Sequence, residues 1–547
     1  MFYLRLFSIL LSIAFIFGQA NAQTDRLVVV APLNDKDGKP IERLASTGAT
    51  YPVFAVAPNS PLLESISGVL NTPFPKQVLK LERSARNLRI KELASQNKEA
   101  PQFTGPLYLL LSNEEGGYAR QGFWLRDLRG DERFVPAGYV DLIVDARSVK
   151  QGDFEEIFTH ELAHLILRTI LGPLPLAPSC NMHQSIAITD YPTAFDEGYA
   201  EHFQPLVRDH TENLILRRIE RGADLTDLNV FWNSNVDRLM RNDGVRRNLL
   251  VYEKALPALA LEPDPDRHRL FLDGETSTAF ILERFKNGQQ MMSSEGVVAA
   301  IFYRFVNDER IQNRYRDGRF YERFLSPQSK IASATKLFSP YENANLKLFA
   351  AMREMCGKPL TADRPLTLEL VQAYGRIFPD EKQAAYEIFI NTTFGATMSK
   401  SAVAMFEQLA MTGRMGDLQF AEQLPEARKF LQELVKQAAT GTAALDAQIG
   451  QELWVLNSDF KIGQSLWDKE RAIPLAINLN TATIPVLMTL PGVDLPLAQQ
   501  IISARVRQGY FKSMDDLSGV KGIAVSLIET LKAMQKRMNE AVGFHRK

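Results

Sequence analysis

Residues 154–170 have the sequence FEEIFTHELAHLILRTI, with apolar side chains three and four positions apart. This spacing predicts an α-helix that buries one face in a core. His160 and His164 are four positions apart, so both imidazoles lie on one face of that helix and can reach one metal ion. Glu161 follows the first histidine, where a carboxylate can take a proton from water on the metal. The stretch therefore predicts a helix that binds zinc, for which imidazole nitrogen is a preferred ligand.

A second motif offers the third protein ligand that a catalytic zinc requires. Residues 195–203 have the sequence FDEGYAEHF, with Glu197 before a glycine and Glu201 one helical turn later. Together the two motifs resemble those of the gluzincin metallopeptidases, and in particular of their aminopeptidase-like branch. The resemblance implies a zincin-like catalytic unit that binds one Zn²⁺ ion and hydrolyses peptide bonds in peptides or proteins.

The resemblance also implies a role for each matching residue. His160, His164 and Glu197 match the metal ligands of the family. Glu161 matches the general base that accepts a proton from zinc-activated water. Glu201 matches a carboxylate that accepts the free ring N–H of a metal-bound histidine, a contact that fixes the tautomer of that histidine.

Two features depart from the family pattern. The loop between the motifs is long and rich in proline, which indicates an insertion carrying Cys180 and His183. Ser293 stands where the family usually has the tyrosine that stabilises the oxyanion. His202 is expected to be a surface group or a neighbour of the ligands, not a ligand itself. The residues that could replace the missing tyrosine are Tyr199, Tyr303, His183, His202 and His210.

The region before the helix is rich in predicted strands. Strand-like runs lie at 27–33, 51–57, 107–111 and 139–146, and a charged helical piece lies around 76–98. The run at 139–146 is predicted to be an edge strand beside the active-site cleft. A peptide could add to such an edge as a further strand, bound through its backbone hydrogen bonds.

The N-terminus predicts export from the cytoplasm. Residues 6–18 are apolar apart from two serines, and the small residues at 20–22 resemble a cleavage site, so 1–22 is predicted to be a signal peptide. An uncleaved membrane anchor is the alternative. The mature chain would be periplasmic or secreted, with no later transmembrane segment. In an oxidising compartment Cys180 and Cys356 could form one disulfide or stay unpaired.

The segment 476–534 closely resembles the tandem helix-hairpin-helix domain of the competence DNA-receptor family. In that family a Gly-x-Gly hairpin beside a helix N-terminus holds a phosphate. Here the hairpins have the sequences GVD at 492–494 and GIA at 522–524, so neither keeps the second glycine. From residue 476 to the end there are nine Lys or Arg and five Asp or Glu, which permits weak, salt-sensitive DNA binding or docking of a protein. The residues expected to contact a phosphate or a partner are Gly492, Lys521 and Gly522.

The whole sequence predicts an α+β protein of several domains. Its apolar and charged fractions, 45% and 23%, are those of globular proteins, and a net charge of −1 gives no global attraction to nucleic acid. The predicted division is a signal peptide (1–22), a strand-rich region (23–150), a zinc-binding helical region (151–310), a second helical region (311–470) and a small all-α helix-hairpin-helix domain (471–547).

Two functions stay open from the sequence. The first is an exported zinc metallopeptidase with Glu161 as general base. The second is a zinc-containing binding or docking protein with little catalysis, which uses its helix-hairpin-helix domain to contact a protein or DNA. Glu161 favours the first, because a purely structural zinc needs no base beside it.

Overall fold

The computed structural model describes residues 27–114, 116–175, 188–218, 286–326, 333–415, 417–457, 467–468, 473–474, 476–482 and 484–544. The predicted signal peptide lies outside these residues. The elements of the first part of the chain are β1 (Leu27–Pro32), β2 (Glu42–Leu44), β3 (Thr50–Val56), α1 (Leu63–Leu70), α2 (Pro73–Ser95), β4 (Leu107–Leu111), β5 (Gly117–Arg126), β6 (Glu132–Leu142), α3 (Ala146–Gln151), α4 (Asp153–Leu171), α5 (Tyr191–Glu201), α6 (Phe203–His210) and α7 (Leu214–Arg218).

The second part of the chain is mostly helical. Its elements are α8 (Gly288–Met292), α9 (Glu295–Asn307), α10 (Glu309–Gln312), α11 (Gly318–Glu322), α12 (Ala334–Leu337), α13 (Pro340–Met355), α14 (Leu366–Ile377), α15 (Lys382–Thr392), α16 (Lys400–Met415), α17 (Asp417–Thr440), β7 (Trp454–Leu456), β8 (Trp467–Asp468), β9 (Ile473–Pro474), β10 (Ala476–Asn478), α18 (Ile484–Leu487), α19 (Leu495–Gln508) and α20 (Val525–Phe544). Short 3₁₀ helices lie at Pro101–Phe103 and Met514–Gly519.

The chain divides into two compact units. The first contains Met1–Gly172, Val207–Ile219 and Arg316–Leu337, and the second contains Pro173–Leu206, Glu220–Tyr315 and Phe338–Lys547. Within the described ranges, no helix is both long enough and apolar enough to cross a membrane.

The first unit is built around a small β-barrel. Its strands follow the order β1-β4-β6-β5-β3, and β3 pairs back onto β1 to close the ring, while β2 extends from β3. Successive side chains of a strand point to opposite faces, so alternate residues fill the interior. At its centre the ring of Phe123 packs against Phe54, Tyr108 and Tyr139 with centroids 5.1, 4.9 and 5.3 Å away. The mixed α+β class and the strand-rich N-terminal region are confirmed in this form.

The run at 139–146 does not form an edge strand, so that prediction was wrong. Within β6, Tyr139–Leu142 pairs with β4 on one side and with β5 on the other. β5 was not predicted, because its first half is polar and contains glycines that indicate turns. Whether a strand lies at the edge or in the middle of a sheet depends on its pairing with distant segments. The sequence pattern of the strand itself does not show this.

Helix α4 packs against β5 and β6 of the barrel and against α2. Gly138 of β6 allows a close approach, because a Cβ there would lie 2.9 Å from Leu165 Cδ2. Arg208 of α6 donates to both carboxylate oxygens of Glu156, at 3.0 and 2.6 Å. The barrel and the Arg208 ion pair thus fix the position of the helix that carries the first motif.

The second unit has α9 at its centre, in contact with α5, α13 and α15. Lys347 of α13 is fully buried, yet its ammonium donates to both oxygens of Glu381 and to the carbonyl of Ile311, at 2.6–2.9 Å. A buried cation is tolerated when it is paired and hydrogen-bonded in this way.

The C-terminal segment is packed into the second unit. β7 pairs with β10, and the apolar core of the segment extends back into β7, ahead of the predicted boundary at 471. Asn287 Nδ2 donates to the carbonyl of Asn480, and Gln290 Nε2 donates to that of Thr481, both at 3.0 Å. These bonds join α8 to the start of the segment.

Candidate functional site

The first motif lies on α4, as its apolar spacing predicted. The helix begins after Gly152, whose φ of +97° favours glycine. Phe158 and Leu162 are fully buried on one side. On the same helix His160 is half-buried and His164 is 4% exposed.

The two imidazoles face each other at the distance that a shared ion requires. His160 Nε2 and His164 Nε2 are 3.3 Å apart, and the ring planes make an angle of 80°. Two nitrogens bound to zinc at about 2.0–2.1 Å with tetrahedral angles lie about 3.3–3.4 Å apart. The same distance also suits a long N–H···N hydrogen bond between neutral rings, so the spacing fits zinc without identifying it.

The second motif lies on α5, where Glu197 is half-buried. At Gly198 a Cβ would lie 2.7 Å from Val298 Cβ and 2.9 Å from the carbonyl of Glu295. Glycine at this position therefore lets α5 lie directly against α9, and this contact positions the helix that carries Glu197.

Glu161 is 6% exposed and lies against the start of β5. A Cβ at Gly117 would lie 2.8 Å from Glu161 Oε1, 2.9 Å from Ile157 Cγ2 and 3.0 Å from Leu142 Cδ2. The absence of a side chain at Gly117 is therefore what leaves room for the carboxylate. Sequence reasoning missed this residue, since its only signal was a Gly-Gly pair that indicates a turn.

The other predicted site residues are placed as follows. Glu201 is 8% exposed at the end of α5, one turn beyond Glu197. Ser293 is fully buried, and within the described residues its hydroxyl has no hydrogen-bond partner. Tyr303 is half-buried on α9, and His183 lies outside the described residues.

Two of the residues suggested as oxyanion donors belong to the hydrophobic core. Tyr199 is fully buried, and burial raises the pKa of its hydroxyl far above the usual range. His202 is also fully buried, with ring contacts to Phe203 and Phe302 and a hydrogen bond between Nδ1 and the carbonyl of Tyr199. Of the two positions expected for His202, burial excludes the surface, and a position next to the ligands stays a prediction. His210 stacks on Phe74, with ring centroids 5.3 Å apart.

The predicted disulfide remains a prediction, because Cys180 lies outside the described residues. Cys356 is half-buried at the end of α13, and its thiol donates to the carbonyl of Met352 at 3.4 Å.

Two buried ionisable groups of the second unit were not anticipated. Glu452 is 5% exposed and accepts hydrogen bonds from Trp454 Nε1 and Asn478 Nδ2 at 2.9 and 3.2 Å. Burial, reinforced by the negative charge of Asp190, raises the pKa of Glu452 well above its usual range. Lys286 donates to Ser294 Oγ at 2.7 Å, and burial lowers the pKa of Lys286 to about 7.

The C-terminal segment contains the two predicted hairpins. Gly492 and Gly522 have φ of +76° and +88°, a conformation that glycine adopts without strain. Asp494 accepts from Leu497 N at 2.9 Å and so caps α19 instead of leaving that N-terminus open. Lys521 is exposed beside the second hairpin.

Comparison with known proteins agrees with this geometry. Residues 475–534 match the family described as Helix-hairpin-helix motif. The chain carries a helix-hairpin-helix motif. Over 56 residues it is 45% identical to Endonuclease/exonuclease/phosphatase family domain-containing protein 1 of Danio rerio and 43% identical to the Homo sapiens protein of that name.

Each of these matches covers 10% of this chain and 10% of the relative. So small a shared part identifies one module, not the family of the whole protein. No solved structure is detectably similar to this chain.

Proposed function

We propose that this protein is an exported, zinc-dependent metallopeptidase. His160, His164 and Glu197 would bind one Zn²⁺ ion, and Glu161 would act as general base. The observation that carries the proposal is the pair of imidazole nitrogens 3.3 Å apart on α4, with the Glu161 carboxylate on the same helix.

The donor set suits zinc. Two imidazole nitrogens and one carboxylate make up a usual set of three protein ligands in catalytic zinc sites, where the fourth position stays open for water or substrate. Of the three proposed ligands, His160 and Glu197 are half-buried and His164 is buried. When bound there, zinc would lower the pKa of water and polarise the scissile carbonyl.

The chain's own groups would handle the proton and the substrate backbone. Glu161 would accept a proton from water and deliver it to the leaving amine, a task for a carboxylate held in one orientation. Because Gly117 has no side chain, the Glu161 carboxylate can lie against β5, and this contact would keep it in that orientation. Among the described strands, residues 117–121 of β5 pair with β6 only, so their other side is an edge. Arg168 donates a hydrogen bond to the carbonyl of Ala119 in this stretch. The substrate backbone would lie along this short edge.

A paired measurement of zinc content and hydrolysis tests the proposal. Glu161→Gln should keep the fold and one zinc per chain but lose roughly 10²–10⁴-fold in hydrolysis of a mixed peptide library. Glu529→Gln, a carboxylate of α20 that is 63% exposed, is the matched control and should behave as wild type. Equal activity of Glu161→Gln and wild type would contradict the assignment of the base. A zinc-loaded wild type that cleaves no peptide would favour the binding-protein alternative, which the serine at position 293 also suits.

We propose DNA contact by the helix-hairpin-helix motif as a second activity. The second hairpin is the better candidate, because Ala524 offers no carboxylate at the start of α20, whereas Asp494 caps α19. Lys521→Gln should weaken duplex binding in fluorescence anisotropy and reduce the salt dependence by about one phosphate contact. Lys536→Gln, 80% exposed on α20, is the control. Equal affinity of both variants and wild type at 50 mM salt would exclude this hairpin as a DNA contact.

A further inference from the structure

A cleft of about 330 Å³ lies in the second unit where three helix ends meet. The start of α8, the start of α16 and the end of α19 line it, together with Gln448. Its lining includes none of the candidate metal ligands. The cleft is therefore a site separate from the proposed peptidase centre.

The charge of the cleft has one sign. Lys400, Arg505 and Arg507 line it, and among its described lining residues there is no Asp or Glu. Arg505 is only 2% exposed and is held in place by hydrogen bonds to the carbonyls of Leu479 and Ala482, at 3.0 and 2.8 Å. Lys400 and Arg507 are both exposed, so their charges face the space of the cleft. The cleft therefore favours an anion.

The two exposed cations are positioned at the mouth. Lys400 Nζ donates to the carbonyl of Arg507 at 3.1 Å, which links the start of α16 to the end of α19. The N-terminal end of α16, a helix of 16 residues, adds a positive partial charge on the same side. An anionic group at the mouth would meet an ammonium, a guanidinium and a helix N-terminus together.

The rest of the cleft suits an apolar group with an N–H donor. Val506 is 40% exposed and Val403 is half-buried, so an apolar side chain can cover both. Gln448 Oε1 is buried against Gly509 and has no hydrogen-bond partner in the described part of the chain. An unpaired buried acceptor costs free energy, which a donor on a ligand would recover.

We propose that this cleft binds the C-terminal end of a peptide. The terminal carboxylate would pair with Lys400 and Arg507, the last side chain would lie against Val506, and a backbone N–H would reach Gln448. The volume falls in the range of ordinary ligand sites and fits the last two or three residues of a chain. An inorganic anion would leave the apolar walls and the amide unsatisfied.

The cleft is separate from both hairpins of the helix-hairpin-helix motif. α19 runs from Leu495, next to the first hairpin, to Gln508 at the cleft. A helix of 14 residues is about 21 Å long, so the cleft and that hairpin are at opposite ends of it. Lys521 and Gly522 of the second hairpin, which is the one proposed for DNA, are not among the residues that line the cleft.

Saturation-transfer NMR titrations of the whole chain with a matched pair of probes test the proposal. The probes are N-acetyl-Ala-Leu-Leu with a free carboxylate and the same peptide as its C-terminal amide. The free acid should bind saturably and about tenfold more tightly than the amide, because only the acid pairs with the two exposed cations. The double variant K400Q/R507Q should bind both probes as weakly as wild type binds the amide. Lys536→Gln, which removes a lysine that is 80% exposed and outside the cleft, should leave both affinities unchanged.

Two further variants separate this site from the proposed metal centre and from misfolding. His164→Ala removes a candidate metal ligand and should retain binding of the free acid. Val506→Asp introduces a negative charge at an exposed position and should weaken the free acid more than the amide. The proposal fails if acid and amide bind equally, if K400Q/R507Q changes nothing, if neither probe saturates below 5 mM, or if His164→Ala abolishes binding.

Discussion

Replacing Gly117 with alanine is the sharpest test of the geometry around Glu161. The added Cβ would lie 2.8 Å from Glu161 Oε1, 2.9 Å from Ile157 Cγ2 and 3.0 Å from Leu142 Cδ2. Ordinary carbon contacts are about 3.5–4.0 Å, so each neighbour must move by roughly 0.5–1 Å. Overpacking of this size costs about 1–3 kcal/mol of unfolding free energy. None of the three nearest atoms belongs to a histidine, so zinc affinity should stay within about threefold of wild type.

The activity of the alanine variant should fall much further than its stability. A catalytic group displaced by about 1 Å can lose roughly 10²-fold in rate. Urea denaturation, zinc titration and peptide hydrolysis measure the three quantities on one preparation. Gly68→Ala in α1 is the control, because a Cβ there meets nothing within 4 Å, and a helical glycine replaced by alanine should stabilise by about 0.5–1 kcal/mol. Wild-type stability and hydrolysis in Gly117→Ala would refute the placement of Glu161 against β5.

Three further outcomes are expected. His164→Ala should lose zinc, whereas Glu201→Gln should lower metal affinity or activity by only about 10–100-fold, as measured by chelator competition; stoichiometric zinc in His164→Ala would contradict the ligand assignment. The folded state binds the proton of Glu452 more tightly than the unfolded chain does. The free energy of unfolding should therefore fall as the pH rises above 4.5, the ordinary pKa of a glutamate, towards the raised pKa of Glu452. In denaturant titrations at pH 5 and pH 8, Glu452→Gln should make this pH dependence weaker. Removing 471–547 deletes the acceptor of Gln290 Nε2 and one strand of the β7–β10 pair, so the second unit should melt at lower temperature; an unchanged melting temperature would show that the segment folds independently.

The motifs that the sequence revealed are those whose members are neighbours on one element. His160, Glu161 and His164 share α4, and the period of 3.6 residues places both imidazoles on one face wherever the helix lies. The hairpins at Gly492 and Gly522 are also local, because each needs only a left-handed residue before a helix. Apolar spacing and glycine placement were sufficient for both.

Features that depend on distant contacts could not be obtained in this way. The strand run 139–146 was given the wrong number of neighbours, since barrel closure joins β1 to β3 and places β5 beside β6. The sequence left His202 either at the surface or next to the ligands, and the rings of Phe302 on α9 and of Phe203 exclude the surface by burying it. A polar residue is buried or exposed according to what packs over it, and local sequence does not contain that information.

The sequence by itself determined that His160 and His164 lie on one face of a helix with Glu161 beside them, and that a helix-hairpin-helix motif lies near the C-terminus. The tertiary structure decided where those groups meet other chain segments. The missing side chain of Gly117 leaves room for the Glu161 carboxylate against β5, and that of Gly198 lets α5 pack directly against α9. Arg505 lines a cationic cleft together with residues of α8 and α16. Each of these contacts joins residues that are far apart in the chain. The need for a glycine or a buried charge at these positions arises from close packing between the elements, so the local sequence does not reveal it.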